Sequence, residues 1–415
     1  MPTDPLILEV LLHDEPIGRL TNIGGERSVF TFNDDYVADE NRATLGLGFK
    51  DTHGSLITEF RPYKVQLMPF FSNLLPEGAL REFLAQRAGV DEQREYHLLA
   101  ALGLDLPGAV SVRHAENAAT SGKVGSNSKE DSPAPEFEHS HRRMRFSLAG
   151  VQLKFSAAEA KGGGLTLPAQ GDGGSWIVKL PSFDFDGVPE NEFSMLHLAQ
   201  LLGMNVPEHK LIDVSEIENL PERFAKLGRT AFAIRRFDRI KGGPSVHTED
   251  FAQVFGVYPQ NKYERARIRG IARVVHLEGS HEDTVELVRR LVFNNLIGNG
   301  DMHLKNWSLI YPDRRNASLA PAYDFVSTIP YLPEDQNALK VSRSSRFEDF
   351  SWEELGHFAD KAGLPLKLVE DVARETVDLF MENWAREKRN LPLYPAVRDA
   401  IDRHLKRVPL LSSLN

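Results

Sequence analysis

The sequence contains no cysteine. Disulfides, thiolate zinc sites and thiol nucleophiles are thereby excluded. No apolar run approaches the roughly 18 residues that a membrane-spanning helix needs. The first residues, MPTDPLILEVLLHDEP, carry no basic segment and reach Asp and Glu early, which does not fit a secretory signal. These absences predict a cytoplasmic protein with no membrane partner. The 14 histidines include no H-x-x-x-H or H-E-x-x-H pair, so no zinc site is expected. There is no G-x-S-x-G for a hydrolase and no G-x-x-x-x-G-K-[ST] for a P-loop. A net charge of −10 argues against binding nucleic acid over the whole surface. The basic stretches at 141–145 and 386–407 read as solvated faces.

What is present is an ordinary globular composition, 41% hydrophobic and 26% charged over 415 residues. A chain of this length holds about two to three units and buries a large core without staples. Residues 1–115 alternate like short strands and then turn helical, which predicts an N-terminal α+β subdomain. Residues 116–142 are rich in Ser, Gly, Pro and charge and read as a flexible linker. Residues 143–245 return to strands with one amphipathic helix, ENEFSMLHLAQLLG, ended by Gly203. Residues 246–415 are mostly helical, interrupted by the strand pair WSLIY and SLAPAYD. The expected class is α+β: a strand-rich lobe with one helix, then a large helical lobe with one inserted hairpin. That is the coarse plan of a bilobal, protein-kinase-like fold.

The chemistry concentrates in GNGDMHLKNWSLIY, residues 298–311. Asp301 and Asn306 have the D-x-x-x-x-N spacing of a kinase catalytic loop. The carboxylate would orient the acceptor hydroxyl, and the Asn side-chain oxygen would ligate Mg²⁺, a hard cation that takes oxygen donors. Alone, that spacing also arises by chance, with an Asp capping a turn and an Asn ending a helix. The following hairpin sharpens it, because a return strand ending in Ala322-Tyr323-Asp324-Phe325 would carry Asp324 back beside Asn306.

Lys179 lies in an apolar strand, where a buried ammonium needs a partner. Glu192 shares a helical stripe with Met195, Leu196 and Ala199 and faces the same core. A strand Lys paired with a helix Glu is the clamp that holds the α- and β-phosphates in kinases. A Lys snorkelling at a sheet edge is the plain alternative. The loop SLAGVQLK, residues 147–154, precedes the Lys strand where a phosphate-covering loop would lie, although it lacks G-x-G-x-x-G. Arg235, Arg236 and Phe237 end a strand at the expected interlobe hinge. His303 would steady the catalytic loop, and Lys305 would neutralise phosphoryl charge.

With these motifs in view, the chain resembles the HipA-type serine/threonine kinases, the toxin half of bacterial HipA–HipB toxin–antitoxin pairs. The resemblance runs through GRLTNIGGERSVFTF, LLPEGALREFLAQRAG, FSLAGVQLKFS, IVKLPS, NEFSMLHLA, RRFDR, EDFAQVFG, GNGDMHLKNWSLIY and LAPAYDFVST. It implies Asp301 as catalytic base, and Asn306 and Asp324 as Mg²⁺ ligands. It implies ATP contacts from Ala149, Gly150, Val151, Gln152, Leu153, Lys154, Lys179, Arg235, Arg236, Phe237, His303, Lys305, Asn306 and Tyr323. Ser147 corresponds to the loop serine whose autophosphorylation ejects the loop and inactivates the enzyme. Two positions depart from the family pattern: Leu153 stands where Glu is common, and Arg235 stands where the hinge residue can be acidic. The resemblance further implies a protein substrate, often an aminoacyl-tRNA synthetase, and a HipB-like helix-turn-helix antitoxin through which operator DNA is contacted. Two other readings stay open here. One is a lipid or small-molecule kinase, because G-D-x-H-x-x-N also resembles phosphoinositide-kinase loops. The other is a catalytically silent scaffold for an antitoxin.

Overall fold

The computed structural model describes residues 6–115, 153–160, 164–167, 174–182, 184–221, 224, 226 and 228–412. The first strands form by alternation. β1 (Ile7–Leu12), β2 (Glu15–Asn22) and β3 (Arg27–Phe32) each turn apolar side chains to one face. His13 and Asp14, both at positive φ, make the tight turn that joins β1 to β2. With β4 (Tyr63–Lys64) and β5 (Val110–His114) they make an antiparallel sheet in the order β4-β3-β2-β1-β5. The expected helical part follows as α2 (Pro69–Ser72), α3 (Gly78–Ala88) and α4 (Glu95–Leu102), after a short α1 (Asp34–Ala38). Phe30, Phe32, Phe49, Phe70 and Phe71 pack edge to face beneath this sheet.

The second sheet has six strands in the order β10-β7-β6-β8-β11-β9. They are β6 (Lys154–Glu159), β7 (Leu165–Thr166), β8 (Trp176–Lys179), β9 (His209–Asp213), β10 (Ile217–Glu218) and β11 (Thr230–Arg235). Lys179 on β8 faces Lys154 on β6 and Phe232 on β11. The N-terminal unit is not separate from this sheet, because Leu80 and Leu84 of α3 share a core with Phe155, Trp176 and Val178. The single helix of this lobe, α5 (Val188–Leu201), starts four residues ahead of Glu192 and carries Pro189 in its first turn, where its missing N–H costs nothing. Its Met195, Leu196 and Ala199 are buried, as the helical stripe predicts, but against the C-terminal helices.

The third sheet, β12-β13-β14, departs from the expected hairpin. β12 (His247–Asp250) joins β13 (Ser308–Tyr311), a pairing that HTED does not announce. β14 is only Ser318–Leu319, so the return strand stops short of Asp324. The chain reaches Asp324 instead through irregular backbone, with Asp324 itself at φ +57°. Around this sheet pack α6 (Phe251–Val254), α7 (Ile268–Glu278), α8 (His281–Ile297), α9 (Trp352–Ala362), α10 (Leu366–Glu387) and α11 (Pro395–Leu405). The chain is α+β and two-lobed. α8 runs through the middle of the helical lobe, started by the Ser280–Asp283 capping box and stopped by Gly298 in the left-handed region. No helix of the described residues is long and apolar enough to cross a membrane.

Candidate active site

Burial and pairing place Lys179 first. Its side chain is 6% exposed, and its ammonium lies 2.5 Å from Glu192 Oε1. It also ion-pairs with Asp324 Oδ1 from the other lobe. Burial alone would lower the Lys179 pKa, but the Asp324 and Glu192 carboxylates outweigh it and raise it. Lys179 is therefore a permanent cation. Desolvation would push Asp324 up, yet Lys179 and Lys154 hold it well below the ordinary carboxylate range. Glu192, fully enclosed and with Oε2 lacking a hydrogen-bond partner, is pushed up by its burial. Lys154 is buried beside Lys179 in the sheet, and desolvation lowers its pKa. Two lysines thus stand among two carboxylates, Glu192 of the same lobe and Asp324 of the other.

The loop that carries Asp301 leaves α8 at Gly298, where a Cβ would come within 2.5 Å of Ile329 Cδ1. Asn299 then organises the turn. Its Oδ1 accepts from the Asp301 N–H at 3.0 Å, and its Nδ2 donates to Asn294 Oδ1 at 2.8 Å and to the Asp324 carbonyl at 3.4 Å. One amide thereby ties the Asp301 backbone to the Asp324 backbone. The Gly300 N–H donates to Thr328 Oγ1 at 2.8 Å, and Thr328 donates to Asp335. Asp301 presents its carboxylate at the mouth, 52% exposed, and accepts from Tyr263 Oη at 2.7 Å. The surrounding protein raises its pKa by desolvation, against the Tyr263 hydrogen bond and Lys262. His303 is buried and accepts from the Lys305 N–H at Nδ1, 3.2 Å away. Burial and Lys262 hold it well below its usual range, so it is a neutral loop-steadying residue at physiological pH.

Asn306 donates from Nδ2 to the Asp301 carbonyl at 2.8 Å, which turns its Oδ1 the other way. An amide oxygen and an ionised carboxylate are a donor set that Mg²⁺ accepts, and that ion is commonly held by one or two protein oxygens with phosphate oxygens and water completing the shell. Among the described residues there is no cluster of three or more His, Cys, Asp or Glu side chains that could hold a metal. Asn306 and Asp324 fit the two-ligand arrangement, with Lys179 neutralising Asp324 in this structure.

Comparisons with known proteins give the family. Residues 8–113 match the HipA N-terminal domain and residues 146–384 match the HipA-like C-terminal domain. The chain belongs to the HipA family. It is 53% identical over 407 residues, 97% of each chain, to the putative kinase Y4dM of Sinorhizobium fredii. It is 27% identical over 339 residues, 73% of each chain, to the serine/threonine-protein kinase toxin HipA of Shewanella oneidensis. The solved complex of the Shewanella oneidensis HipA, HipB and operator DNA contains a chain of the same fold. It is 22% identical, with a TM-score of 0.71 over 97% of this chain and 96% of that one. The two lobes are thus those of a HipA-type, kinase-like fold.

The remaining candidate residues of this HipA family member divide by where the fold sends them. Phe237 stands 5.7 Å from the Tyr323 ring, and Tyr323 Oη donates to the Lys305 carbonyl at 2.9 Å. Both aromatics therefore line the side of the cleft toward the hinge. Arg235 turns outward, stacked on Trp176 and bonded to Glu208 and Glu159. Arg236 is buried in ion pairs with Asp238 and Asp105 and locks the hinge to the N-terminal unit. Lys305 is not brought to the phosphoryl position. Its three ammonium donors meet Asp250 Oδ2 at 2.8 Å, the Asn73 carbonyl at 2.9 Å and Asn73 Oδ1 at 3.1 Å. Leu153 is buried in the strand core and bonds Leu180 through its carbonyl. Ser147, Ala149, Gly150, Val151 and Gln152 lie outside the described residues. Asn299, Thr328, Asp335 and Tyr263 escaped sequence reasoning. Asn299 alone had a local signal, its place two residues before Asp301.

Proposed function

We propose that this chain is a Mg·ATP-dependent serine/threonine protein kinase and the toxin of a type II toxin–antitoxin pair. The observation that carries the reading is Lys179, bonded at once to Glu192 of its own lobe and to Asp324 of the other. Such a buried cation between two carboxylates is the clamp of phosphoryl-transfer enzymes. Mg²⁺ with ATP would supply the transferable phosphoryl group and neutralise its charge.

The chain's own residues do the rest. Lys179 binds the α- and β-phosphates, with Glu192 fixing its direction. Asp301 accepts a hydrogen bond from the acceptor hydroxyl and orients it, its backbone held by Asn299 and Asn306. Tyr323 and Phe237 wall the cleft on the adenine side, with hinge backbone at 235–237 reading the base. Lys154, buried beside Lys179 on β6, adds a second lysine on the phosphate side. Phosphorylation of Ser147, the serine that matches the family's autophosphorylated position, adds about two negative charges and switches the enzyme off.

Its relatives' names support a kinase toxin. The HipA–HipB–operator assembly of the Shewanella protein supports a helix-turn-helix antitoxin that carries the DNA contact. A net charge of −10 fits DNA held mainly through that partner. The substrate is a translation protein such as an aminoacyl-tRNA synthetase, phosphorylated in the cytoplasm. The test is transfer from γ-labelled ATP to a lysate of an antitoxin-free host. Asp301→Ala is expected to abolish labelling with the fold intact by circular dichroism, and undiminished labelling by that variant defeats the assignment.

A further inference from the structure

Tyr263 lies on the turn between the single helical turn Pro259–Asn261 and α7. Its phenol oxygen donates to Asp301 Oδ1 at 2.7 Å. That is the hydrogen bond an acceptor hydroxyl makes to a catalytic carboxylate. The residue is 45% exposed, so it is not held there by core packing. Its ring stands edge-on to His303, 4.9 Å between centroids. Burial and the Asp301 charge raise the phenol pKa, so it remains a donor at neutral pH.

The turn beneath it is fastened from two sides. Lys262 is buried and its ammonium lies 2.8 Å from Glu77 Oε2, at the start of α3 in the N-terminal unit. The Lys262 carbonyl accepts from the Leu304 N–H of the catalytic loop at 3.3 Å. The backbone of the turn is therefore fixed, while the exposed ring can rotate into solvent by giving up its Asp301 and His303 contacts and the Lys262 ammonium 5.6 Å from its centroid.

We propose that Tyr263 is an acceptor-site gate, its hydroxyl holding on Asp301 the place of the substrate hydroxyl and swinging out when an acceptor enters. The inference rests on Asp301 being the catalytic base. It assigns Tyr263 a role in acceptor selection: a substrate loop that displaces the ring gains the Oδ1 position, and water, which cannot displace it, does not.

The test uses the full-length protein with Mg·ATP, measuring ATP hydrolysis with water as acceptor and transfer to dephosphorylated casein. Tyr263→Phe keeps the ring and removes the hydroxyl. It is expected to hydrolyse ATP about fivefold faster than wild type and to lower the KM for casein about fivefold, with kcat for casein unchanged. That fold-change corresponds to about 1 kcal/mol, one ordinary hydrogen bond. Asp301→Asn removes both activities with or without the Tyr263 change. If Tyr263→Phe matches wild type or is slower while Asp301→Asn is dead, the gate is overturned and the kinase reading stands. If wild type turns over no ATP with either acceptor, both fall.

Discussion

Lys179 on the strand-rich lobe is ion-paired with Asp324 on the helical lobe, 145 residues further along the chain. The pair closes the cleft electrostatically and holds Asp324 ionised despite its burial. Replacing Lys179 by Met leaves Glu192 and Asp324 enclosed with one lysine fewer. Removing one donor that stabilises transition-state negative charge costs roughly 10²–10³ in kcat. Lys179→Met is expected to lose at least that much in transfer from labelled ATP and to melt below wild type in a thermal-shift assay. A variant with wild-type transfer would show that Lys179 has no role in the chemistry.

Lys305 gives a second expectation, opposite in kind. Its ammonium joins the catalytic loop to Asp250 and to Asn73 of the N-terminal unit. Removing one partner of a buried charged pair costs about 3 kcal/mol or more. Lys305→Met is therefore expected to lower the unfolding free energy, read from urea denaturation, by that amount while leaving ATP affinity, measured calorimetrically below the melting range, within about twofold. A large loss of ATP affinity with unchanged stability would instead place Lys305 at the phosphates.

Gly298 ends α8 at φ +66° and lies against Ile329. A side chain there meets two penalties, left-handed backbone at about 1–2 kcal/mol and overpacking at about 1–3 kcal/mol. Gly298→Ala is expected to destabilise the protein by about 2–5 kcal/mol and to reduce kcat, because the strain is relieved by moving the Asp301 loop. Equilibrium unfolding and steady-state kinetics on one preparation read both.

Glu249 sets a pH dependence of stability. It is buried, accepts from Tyr311 Oη and from the Leu47 N–H at Oε1, and has no partner at Oε2. Burial pushes its pKa up to about 7, against an ordinary 4.5. The folded state therefore holds a proton that the unfolded state has released between these values. Stability from this group is greatest below about pH 4.5, falls as pH rises through about 7, and is flat above. The loss across that window is up to about 3 kcal/mol. Glu249→Gln is expected to flatten this part of the melting temperature against pH curve, and a curve parallel to wild type would exclude Glu249 as its source.

Much of this site was legible because its signals are local. The D-x-x-x-x-N spacing sits within one loop, and the Glu192 stripe within one helix. Lys179 stood out because a charge inside an apolar strand requires a partner. The expected return strand to Asp324 was not legible, since the chain after Leu319 is held by tertiary hydrogen bonds such as Ala322 N–H to the Asn205 carbonyl. β12 was hidden for a similar reason. His247, Thr248 and Glu249 are polar residues buried in a strand because Leu45, Leu309 and Leu47 satisfy their side chains from distant segments.

By itself the sequence determined which residue types could do the chemistry and on which elements they would sit, because helix stripes, strand alternation and loop spacing are set by near neighbours. Only the tertiary structure decided their partners. It turned Lys305 away from the cleft to Asn73, 232 residues distant. It joined the backbones of Asp301 and Asp324 through Asn299, and it set Tyr263 on the Asp301 carboxylate. Each of those bonds depends on which distant surfaces pack together, and buried polar groups then take the partners that packing leaves within reach.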